Sequence, residues 1–256
     1  MQLSVGARTD VGMIRSGNED NFFADISGHR GLFVVADGMG GHAAGEVASE
    51  MAVHILTREL LQSAFEEARA NECVAEALRH ANAAIYQRTT DEVEKQGMGT
   101  TASVLLMLGT RYVIGQVGDS RIYLLRDGRL RQVTKDHSYV QEQVDAGRLT
   151  EEQARYHPYS NVITRCVGAS AAVEPDVYEG EVQAGDVFLV ASDGLTGMVD
   201  DRRLQQLLLS RSSPSRVVDV LIAEANARGG LDNITAVVVQ VNSVDDDCDP
   251  GDGRAC

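Results

Sequence analysis

Aspartate residues next to apolar segments are the side chains in this sequence best suited to chemistry. Three of them flank apolar runs and are followed by glycine or asparagine, namely Asp37, Asp193 and Asp232, and Asp119 follows a fourth run. An apolar strand crosses a core and delivers the residue at its end to one edge of a sheet, so carboxylates distant in sequence can meet there. A single Asp-Gly or Asp-Asn pair is more simply interpreted as a turn, but the four together favour a site for hard divalent cations.

The glycine residues after Asp37 add to this pattern. Gly38 has no Cβ, so its backbone carbonyl can approach an ion closely. Residues 38–41 could instead form a phosphate-binding loop. However, the Lys-Ser/Thr ending of a P-loop and the G-x-G-x-x-G spacing of a dinucleotide-binding fold are both missing from this stretch. We therefore reject nucleotide binding at this loop.

Short apolar and β-branched runs predict the strands that must position these carboxylates. The predicted strands are 3–8, 21–26, 31–36, 101–108, 112–117, 121–126, 129–133, 187–191 and 234–241. Asp127-Gly128 joins two of them and suits a tight hairpin turn. Apolar residues repeated every three to four positions predict helices. The predicted helical segments are 47–56, 74–85, 138–146, 151–156, 202–209 and 215–227.

The order of these elements indicates an α+β fold. Strands and helices follow one another in blocks and not as alternating βαβ units, which favours antiparallel sheets covered by helical layers. A length of 256 residues, 43% of them hydrophobic, allows one well-buried domain. We assign this domain to residues 1–242. Residues 243–256 are rich in Asp and poor in apolar side chains, so we expect an acidic, disordered tail there.

Charge and cysteine content exclude several classes of function. The chain has 23 Lys+Arg and 38 Asp+Glu, and a net charge of −15 argues against binding to nucleic acid or to an anionic membrane, since both need a basic face. The four cysteines form no C-x-x-C pair, so reduced thiols are expected. No apolar run is long enough to span a bilayer, and the N-terminus has no signal-peptide pattern. We expect a cytoplasmic enzyme.

A set of short motifs resembles those of one enzyme family. The motifs are RSGNEDN at 15–21, VVADGMGGHAAGEVAS at 34–49, GTTA at 99–102, VGDSRIY at 117–123, DHS at 136–138, ITR at 163–165, ASDGL at 191–195 and DNIT at 232–235. In this order they resemble the protein phosphatase 2C family, most closely its compact bacterial members. The resemblance covers nearly everything from residue 3 to 241. It implies a four-layer αββα sandwich, in which two antiparallel β-sheets are flanked by helices.

The resemblance also implies which residues hold metal ions. Asp37 would bridge two ions. Asp193 and Asp232 would complete the shell of the first ion, and the carbonyl of Gly38 would help to hold the second. Asp119, together with Asp193, matches a third and weaker site of bacterial members. Mn²⁺ or Mg²⁺ is the expected metal, because both prefer oxygen ligands.

Four further residues match the family by position. Arg15 would bind the phosphate of the substrate, and Glu19 and Asp20 would hold metal-bound waters or orient their neighbours. His42 matches the histidine proposed as general acid. It also immediately precedes a predicted helix and could equally serve only to begin that helix. His137 is interpreted as a loop or packing residue.

The activity that the resemblance implies is hydrolysis of phosphoserine and phosphothreonine in proteins. Two ions activate one water molecule for in-line attack on phosphorus, and no protein nucleophile is needed. Phosphorylated proteins are the expected substrates, with a cognate Ser/Thr kinase and its targets as partners.

Two alternatives remain. A phosphatase-like regulator without catalysis should lack the metal-binding aspartates, which are present here. A two-metal hydrolase of nucleotides or nucleic acid is disfavoured by the acidic charge.

Overall fold

Two antiparallel sheets form the centre of the computed structural model, which describes residues 1–40, 44–62, 67–210 and 212–244. The strands are β1 (Gln2–Asp10), β2 (Asp20–Ser27), β3 (Arg30–Met39), β4 (Gly99–Thr100), β5 (Ala102–Leu108), β6 (Arg111–Val117), β7 (Arg121–Arg126), β8 (Arg129–Gln132), β9 (Asp176–Glu181), β10 (Val187–Ala191) and β11 (Ile234–Ser243). One sheet has the order β1-β11-β10-β7-β8. The other has the order β2-β3-β5-β6-β9, with β4 paired to β3.

Helices cover both outer faces of the sheets. They are α1 (Ala44–Leu60), α2 (Ala70–Asp91), α3 (Tyr139–Asp145), α4 (Glu151–Arg155), α5 (Asp193–Thr196), α6 (Asp201–Leu208) and α7 (Pro214–Ala227). α1 and α2 pack on the β2-β3-β5-β6-β9 sheet. α6 and α7 pack on the other sheet.

Side chains alternate along the strands and so build three apolar layers. In β3, Leu32 and Val34 belong to the core beneath α1 and α2. Phe33 and Val35 belong to the core between the two sheets, where they meet residues of β10 and β11. A strand that is buried on both faces has to be apolar at every position, as β3 is from Leu32 to Ala36. These layers confirm the four-layer αββα sandwich expected of an α+β fold.

The predicted hairpin turn is present, and three helices begin at residues suited to a helix N-terminus. Asp127 and Gly128 have φ values of 51° and 74°, as a two-residue hairpin of this type requires. Ser138 begins α3 and Thr150 begins α4, and the hydroxyl of each accepts a hydrogen bond from the third residue of its helix. Pro214 lies in the first turn of α7, where proline is well tolerated.

Three features differ from the prediction. β9 was not predicted, because its polar, alternating sequence lies at a sheet edge and has only one neighbour, β6. Asp37 lies inside β3 and not after its end, since pairing with β4 extends the strand to Met39. Asp193 follows the strand as expected but begins α5, a short helix that was not predicted.

The last strand extends past residue 242, where the tail is predicted to begin. β11 continues to Ser243, and Val244 packs against the core between the sheets. Residues 245–256 of the proposed tail lie outside the described residues. Among the helices that the structure describes, none is long and apolar enough to cross a membrane.

Candidate active site

The backbone of Asp37 is fixed by two threonines, Thr100 in β4 and Thr101 directly after it. Its carbonyl oxygen accepts hydrogen bonds from the amide of Thr101 at 2.8 Å and from the hydroxyl of Thr100 at 2.9 Å. Its amide donates to the hydroxyl of Thr101 at 2.9 Å. Pairing of β2 with β3 places Asp20 directly opposite Asp37. Two carboxylates therefore start from adjacent positions on neighbouring strands.

Gly38 is required by close packing. A Cβ at this position would collide with the carbonyl oxygen of Gly45 at the start of α1, and would lie 2.6 Å from the carbonyl oxygen of Glu19. The amide of Gly38 donates to that same Glu19 oxygen at 3.1 Å. The choice of glycine is thus explained by the approach of α1, and a metal contact through the Gly38 carbonyl stays a prediction.

Asp193 and Asp232 are brought together by the packing of α5 on the segment before β11. A Cβ on Gly194 would collide with the carbonyl oxygen of Asn233, so only glycine allows this approach. Burial, followed by the negative charge of Asp232, raises the pKa of Asp193. A hydrogen bond with the side chain of Asp37 acts in the opposite direction, which places these two carboxyl groups in contact.

Asn233 holds the loop of residues 11–19, which carries Arg15 and is called the Arg15 loop, next to Asp232. Its side-chain amide nitrogen donates to the carbonyl oxygens of Val11 and Gly17, both at 2.9 Å. Its side-chain oxygen accepts a hydrogen bond from the amide of Glu19 at 2.8 Å. One side chain therefore fixes both ends of the loop that carries Arg15.

Asp20 lies behind the edge in a network of hydroxyl groups. Its Oδ2 accepts hydrogen bonds from Ser192 at 2.8 Å and from Thr235 at 2.6 Å. Its Oδ1 is buried and has no hydrogen-bond partner among the described residues. Burial is the main cause that raises the pKa of Asp20 to about 7. This carboxyl group is held by two hydroxyl groups and is difficult to ionise in the absence of a cation.

Asp119 lies in the turn between β6 and β7, linked to Asp37 through Thr101. The Thr101 hydroxyl, which accepts from the Asp37 amide, is 2.7 Å from the hydroxyl of Ser120. Asp119 is 6% exposed. Burial, followed by the charge of Asp193, raises its pKa well above the usual range. The structure thus brings Asp119 to the same edge as Asp193.

His137, a buried residue in the loop between β8 and α3, holds the other side of this turn. Its Nδ1 accepts a hydrogen bond from the amide of Gly118 at 3.1 Å, and its own amide donates to the Gly118 carbonyl at 2.9 Å. Because Nδ1 accepts, the proton of the neutral ring is assigned to Nε2, which lies 3.2 Å from Asp176 Oδ2. Burial lowers the pKa of His137 and so favours this neutral form.

An ion pair supports the strand after Asp119. Arg121 forms two-pronged hydrogen bonds to the buried carboxylate of Asp136, the shortest at 2.7 Å. The positive charge of Arg121 lowers the pKa of Asp119 and of Asp193, although in both cases burial has the larger effect and raises it. Arg121 is therefore a fixed cation near the edge, but one already neutralised by its own partner.

The carboxyl groups of Asp20, Asp37, Asp119, Asp193 and Asp232, together called the carboxylate edge, suit a divalent cation chemically. Oxygens of Asp20, Asp119 and Asp193 are buried without a hydrogen-bond partner within the described ranges, and an unpaired buried acceptor is costly. Burial, then the charges of Asp20 and Asp193, raises the pKa of Asp37 well above its usual value. A cation would satisfy these oxygens and favour their ionised form. In the part of the chain described, no group of three Asp, Glu, His or Cys side chains is close enough together to coordinate a metal ion.

Arg15 reaches over the edge from the loop before β2. Its Nη2 donates to Asp232 Oδ2 at 2.7 Å, and about half of the Arg15 side chain, 51%, is exposed. An exposed guanidinium at the mouth of a carboxylate site can bind a phosphate by two parallel hydrogen bonds. The structure therefore brings Arg15 together with Asp232, which the sequence places 217 positions away.

Glu19 and His42 complete the predicted set. Burial is the main cause that raises the pKa of Glu19, and the charge of Arg15 opposes it. The Glu19 carboxyl packs against Gly45 at the start of α1. His42 lies outside the described residues, so its role as general acid or as a helix-starting residue stays open.

Sequence reasoning missed the residues that support the carboxylates. Ser192, Thr235 and Asn233 bind backbone or carboxylate groups at the edge, and His137 fixes the Asp119 turn. All four belong to the motifs on which the resemblance rests. Their membership in those motifs was the available signal, but their individual roles depend on which backbone atoms they reach.

Comparison with known proteins agrees with this geometry. The model of protein phosphatase 2C matches residues 14–225, most of the chain. This chain belongs to the protein phosphatase 2C family. The phosphatase is 40% identical over 243 residues to the serine/threonine phosphatase stp of Listeria welshimeri serovar 6b, covering 92% of this chain and 94% of that protein. It is 37% identical over 246 residues to the protein phosphatase PhpP of Streptococcus pneumoniae, covering 95% and 99% of the two chains.

Solved structures show the same architecture. The serine/threonine phosphatase PstP/Ppp of Mycobacterium tuberculosis superposes with a TM-score of 0.86 at 39% identity, covering 94% of this phosphatase and 99% of that chain. A structure of the catalytic domain of the protein phosphatase PstP in complex with two manganese ions superposes with a TM-score of 0.84 at 39% identity, covering 94% and 99%. Enzymes of this family depend on metal ions, which agrees with the carboxylate edge described above.

Proposed function

We propose that this phosphatase hydrolyses phosphoserine and phosphothreonine in proteins at the carboxylate edge beside Arg15. The observation that supports this most directly is the group of buried carboxyl oxygens that have no hydrogen-bond partner among the described residues, next to an exposed guanidinium. Divalent ions bound there supply a water activated for in-line attack and neutralise charge on the phosphoryl group. Asp37, Asp193 and Asp232 are the residues that would hold the two tighter ions.

The residues of the chain itself have separate tasks in this proposal. Arg15 exchanges its contact with Asp232 for the phosphate oxygens, and its planar guanidinium orients the phosphoryl group and stabilises its developing charge. Asn233 keeps the Arg15 loop in place, because it binds both ends of that loop. Asp20 accepts hydrogen bonds from the hydroxyl groups of Ser192 and Thr235, which hold it in place behind the residues that would bind the metal ions.

A third and weaker metal site at Asp119 is part of the proposal. Asp119 has one buried oxygen without a partner among the residues described, and its pKa responds to Asp193. Asp119→Ala is expected to bind two metal ions with near-normal affinity in a calorimetric titration, while kcat falls by about 10- to 1000-fold. If Asp119 only stabilised the turn, the variant would keep kcat and lose about 1 kcal/mol of stability.

The ion, the partners and the compartment are finer parts of the same proposal. Mn²⁺ and Mg²⁺ both suit an all-oxygen site, and Gly38 would contribute its carbonyl to the second ion. We infer that a cognate Ser/Thr kinase and its targets are partners in the cytoplasm. Neither nucleic acid nor a membrane is expected as a partner, given the net charge of −15.

An assay with two substrates tests the proposed function. Wild-type protein should hydrolyse p-nitrophenyl phosphate and a phosphothreonine peptide with Mn²⁺, lose activity in EDTA and regain it when Mn²⁺ is restored. Asp37→Ala and Asp193→Ala should each lower kcat by at least about 100-fold. Asp219→Ala is a matched control, because Asp219 is an exposed carboxylate on α7 that pairs with Arg8. Full activity in metal-free buffer would overturn the proposal.

We also infer that residues 1–242 form the catalytic domain, with Ser243 and Val244 completing its last strand, and that the acidic tail beyond them is dispensable. Because Ser243 is in β11 and Val244 packs against the core, the truncation should begin at residue 245. The truncated protein is expected to keep kcat/KM for a small phosphopeptide within about threefold, well below the tenfold that corresponds to about 1.4 kcal/mol. A larger loss would show that the tail contributes to the domain.

A further inference from the structure

Two loops run side by side next to Arg15. The amide of Met13 donates a hydrogen bond to the carbonyl oxygen of Gly230 at 2.8 Å. The side chain of Asn233 donates to the carbonyl oxygen of Val11 at 2.9 Å. The loop before β2 and the loop before β11 are therefore held together as one surface around the guanidinium.

Large apolar side chains on this surface are exposed. Val11 is 37% exposed, Met13 66%, Ile14 68% and Leu231 58%. We call these four residues the Arg15 rim. They are four of the ten large hydrophobic side chains that are exposed in the described part of the chain. Single exposed apolar residues are ordinary, but this concentration at the mouth of a polar site marks a place for contact with a partner.

The position of the rim determines what can reach it. A phosphorylated residue whose phosphate lies on Arg15 brings its own chain neighbours with it. Consecutive residues of an extended peptide are at most about 3.6 Å apart, so residues one to three positions away lie within roughly 11 Å of the phosphorylated residue. The side chains that flank the phosphorylated residue are thus within reach of the surface formed by the Arg15 rim.

We propose that the Arg15 rim binds large aliphatic side chains that flank the phosphoserine or phosphothreonine of the substrate. The preferred substrates are then phosphopeptides with leucine, isoleucine or methionine within three positions of the phosphorylated residue. This inference rests on the proposed function, because it takes Arg15 as the phosphate-binding residue. Burial of apolar area from both partners supplies the preference.

Charge alone favours a different substrate. A protein with a net charge of −15 attracts basic peptides over a long range, so lysine next to the phosphorylated residue is the competing expectation. Three phosphothreonine peptides that differ only in their flanking residues, Leu, Ser or Lys, separate these two effects. The Lys peptide should lose its advantage as salt is raised, whereas the Leu peptide should not.

The experiment measures kcat/KM for the three peptides at moderate salt with wild-type protein, a Met13→Ser/Ile14→Ser double variant and Leu231→Ser. Wild type should prefer the Leu peptide over the Ser peptide by about tenfold, and the double variant should reduce that ratio to within about twofold of one. Val93→Ser is the matched control, since Val93 is 85% exposed and lies in the Val93–Lys95 turn, outside the rim. It should keep the wild-type ratio.

Several outcomes would overturn this inference. A ratio of kcat/KM for the Leu and Ser peptides near one in wild type, or a ratio that the double variant leaves unchanged, would show that the rim does not bind the flanking side chains. A wild-type dimer in sedimentation that Met13→Ser/Ile14→Ser dissociates would assign the rim to a second copy of the chain. Failure of wild type to hydrolyse even p-nitrophenyl phosphate would instead overturn the proposed function, so the two failures are distinguishable.

Discussion

Replacement of Asp20 by asparagine should stabilise the metal-free protein. Asp20 is 5% exposed, and within the described part of the chain only its Oδ2 accepts hydrogen bonds, from the hydroxyls of Ser192 and Thr235. In Asp20→Asn the amide oxygen can accept the same two hydrogen bonds. The amide nitrogen then lies where an unpartnered carboxylate oxygen lay, beside other acidic groups. The variant removes a negative charge that burial and the neighbouring Asp193 and Asp232 disfavour, and it adds an amide N–H donor next to these carboxylates.

The size and sign of the effect follow from proton linkage. The pKa of Asp20 is raised to about 7 in the folded protein, against about 3.9 for an unfolded Asp. Between these values the folded state binds more protons, so stability falls as pH rises from about 4 to about 7 and stays lowered above that. Three pH units at 1.36 kcal/mol each give a cost of about 4 kcal/mol at pH 8. Asp20→Asn should recover up to this amount at pH 8 and almost nothing at pH 4.

Thermal and urea unfolding in EDTA at pH 5 and pH 8 measure the effect. A gain of about 4 kcal/mol corresponds to roughly 10 °C in the melting temperature of a domain of this size. The gain at pH 8 should exceed the gain at pH 5 by more than about 2 kcal/mol. Saturating Mn²⁺ should narrow the difference between variant and wild type, because bound cations neutralise the cluster in the wild type.

Asp186→Asn is the matched control. Asp186 is also buried, 1% exposed, but it accepts two hydrogen bonds from Arg126 at 2.7 and 2.6 Å. Loss of its charge should destabilise the protein at pH 8. If Asp20→Asn were as unstable as this control, or if its gain did not depend on pH, the reasoning about the carboxylate cluster would be refuted.

Three further variants test the site. Arg15→Ala should raise KM for a phosphothreonine peptide by roughly 10- to 100-fold, the value of a charge-assisted contact of about 1.5–3 kcal/mol, and unchanged constants would make Arg15 a surface residue. Gly194→Ala should lose about 2 kcal/mol of stability and much of its kcat, because the added Cβ collides with the Asn233 carbonyl oxygen. A melting temperature equal to that of wild type would contradict this. His137→Asn keeps an acceptor at the Nδ1 position for the amide before Asp119, whereas His137→Gln does not. The kcat of His137→Asn should therefore be about tenfold higher than that of His137→Gln. Equal losses of kcat in the two variants would exclude a positioning role for His137.

Much of the fold could be predicted because local chemistry decides it. Strand period and full burial make β3 apolar at every position from Leu32 to Ala36, and the same feature assigns alternate residues to the two cores. The hairpin at Asp127-Gly128 follows from backbone preference alone. β9 could not be predicted, because an edge strand needs only one partner and few apolar residues.

The site shows the same division between sequence and tertiary structure. The sequence by itself determined which carboxylates stand next to apolar strands, including Asp37 and Asp193, since residue type and neighbours suffice for that. Only the tertiary structure decided that Asn233 fixes the carbonyl of Val11, 222 positions away. It alone decided that Asp20 is buried, with one oxygen unpaired among the residues described, and that its pKa is raised to about 7. Hydrogen bonds and desolvation depend on which atoms approach one another, and that approach is set by the packing of whole layers and not by neighbours in the chain.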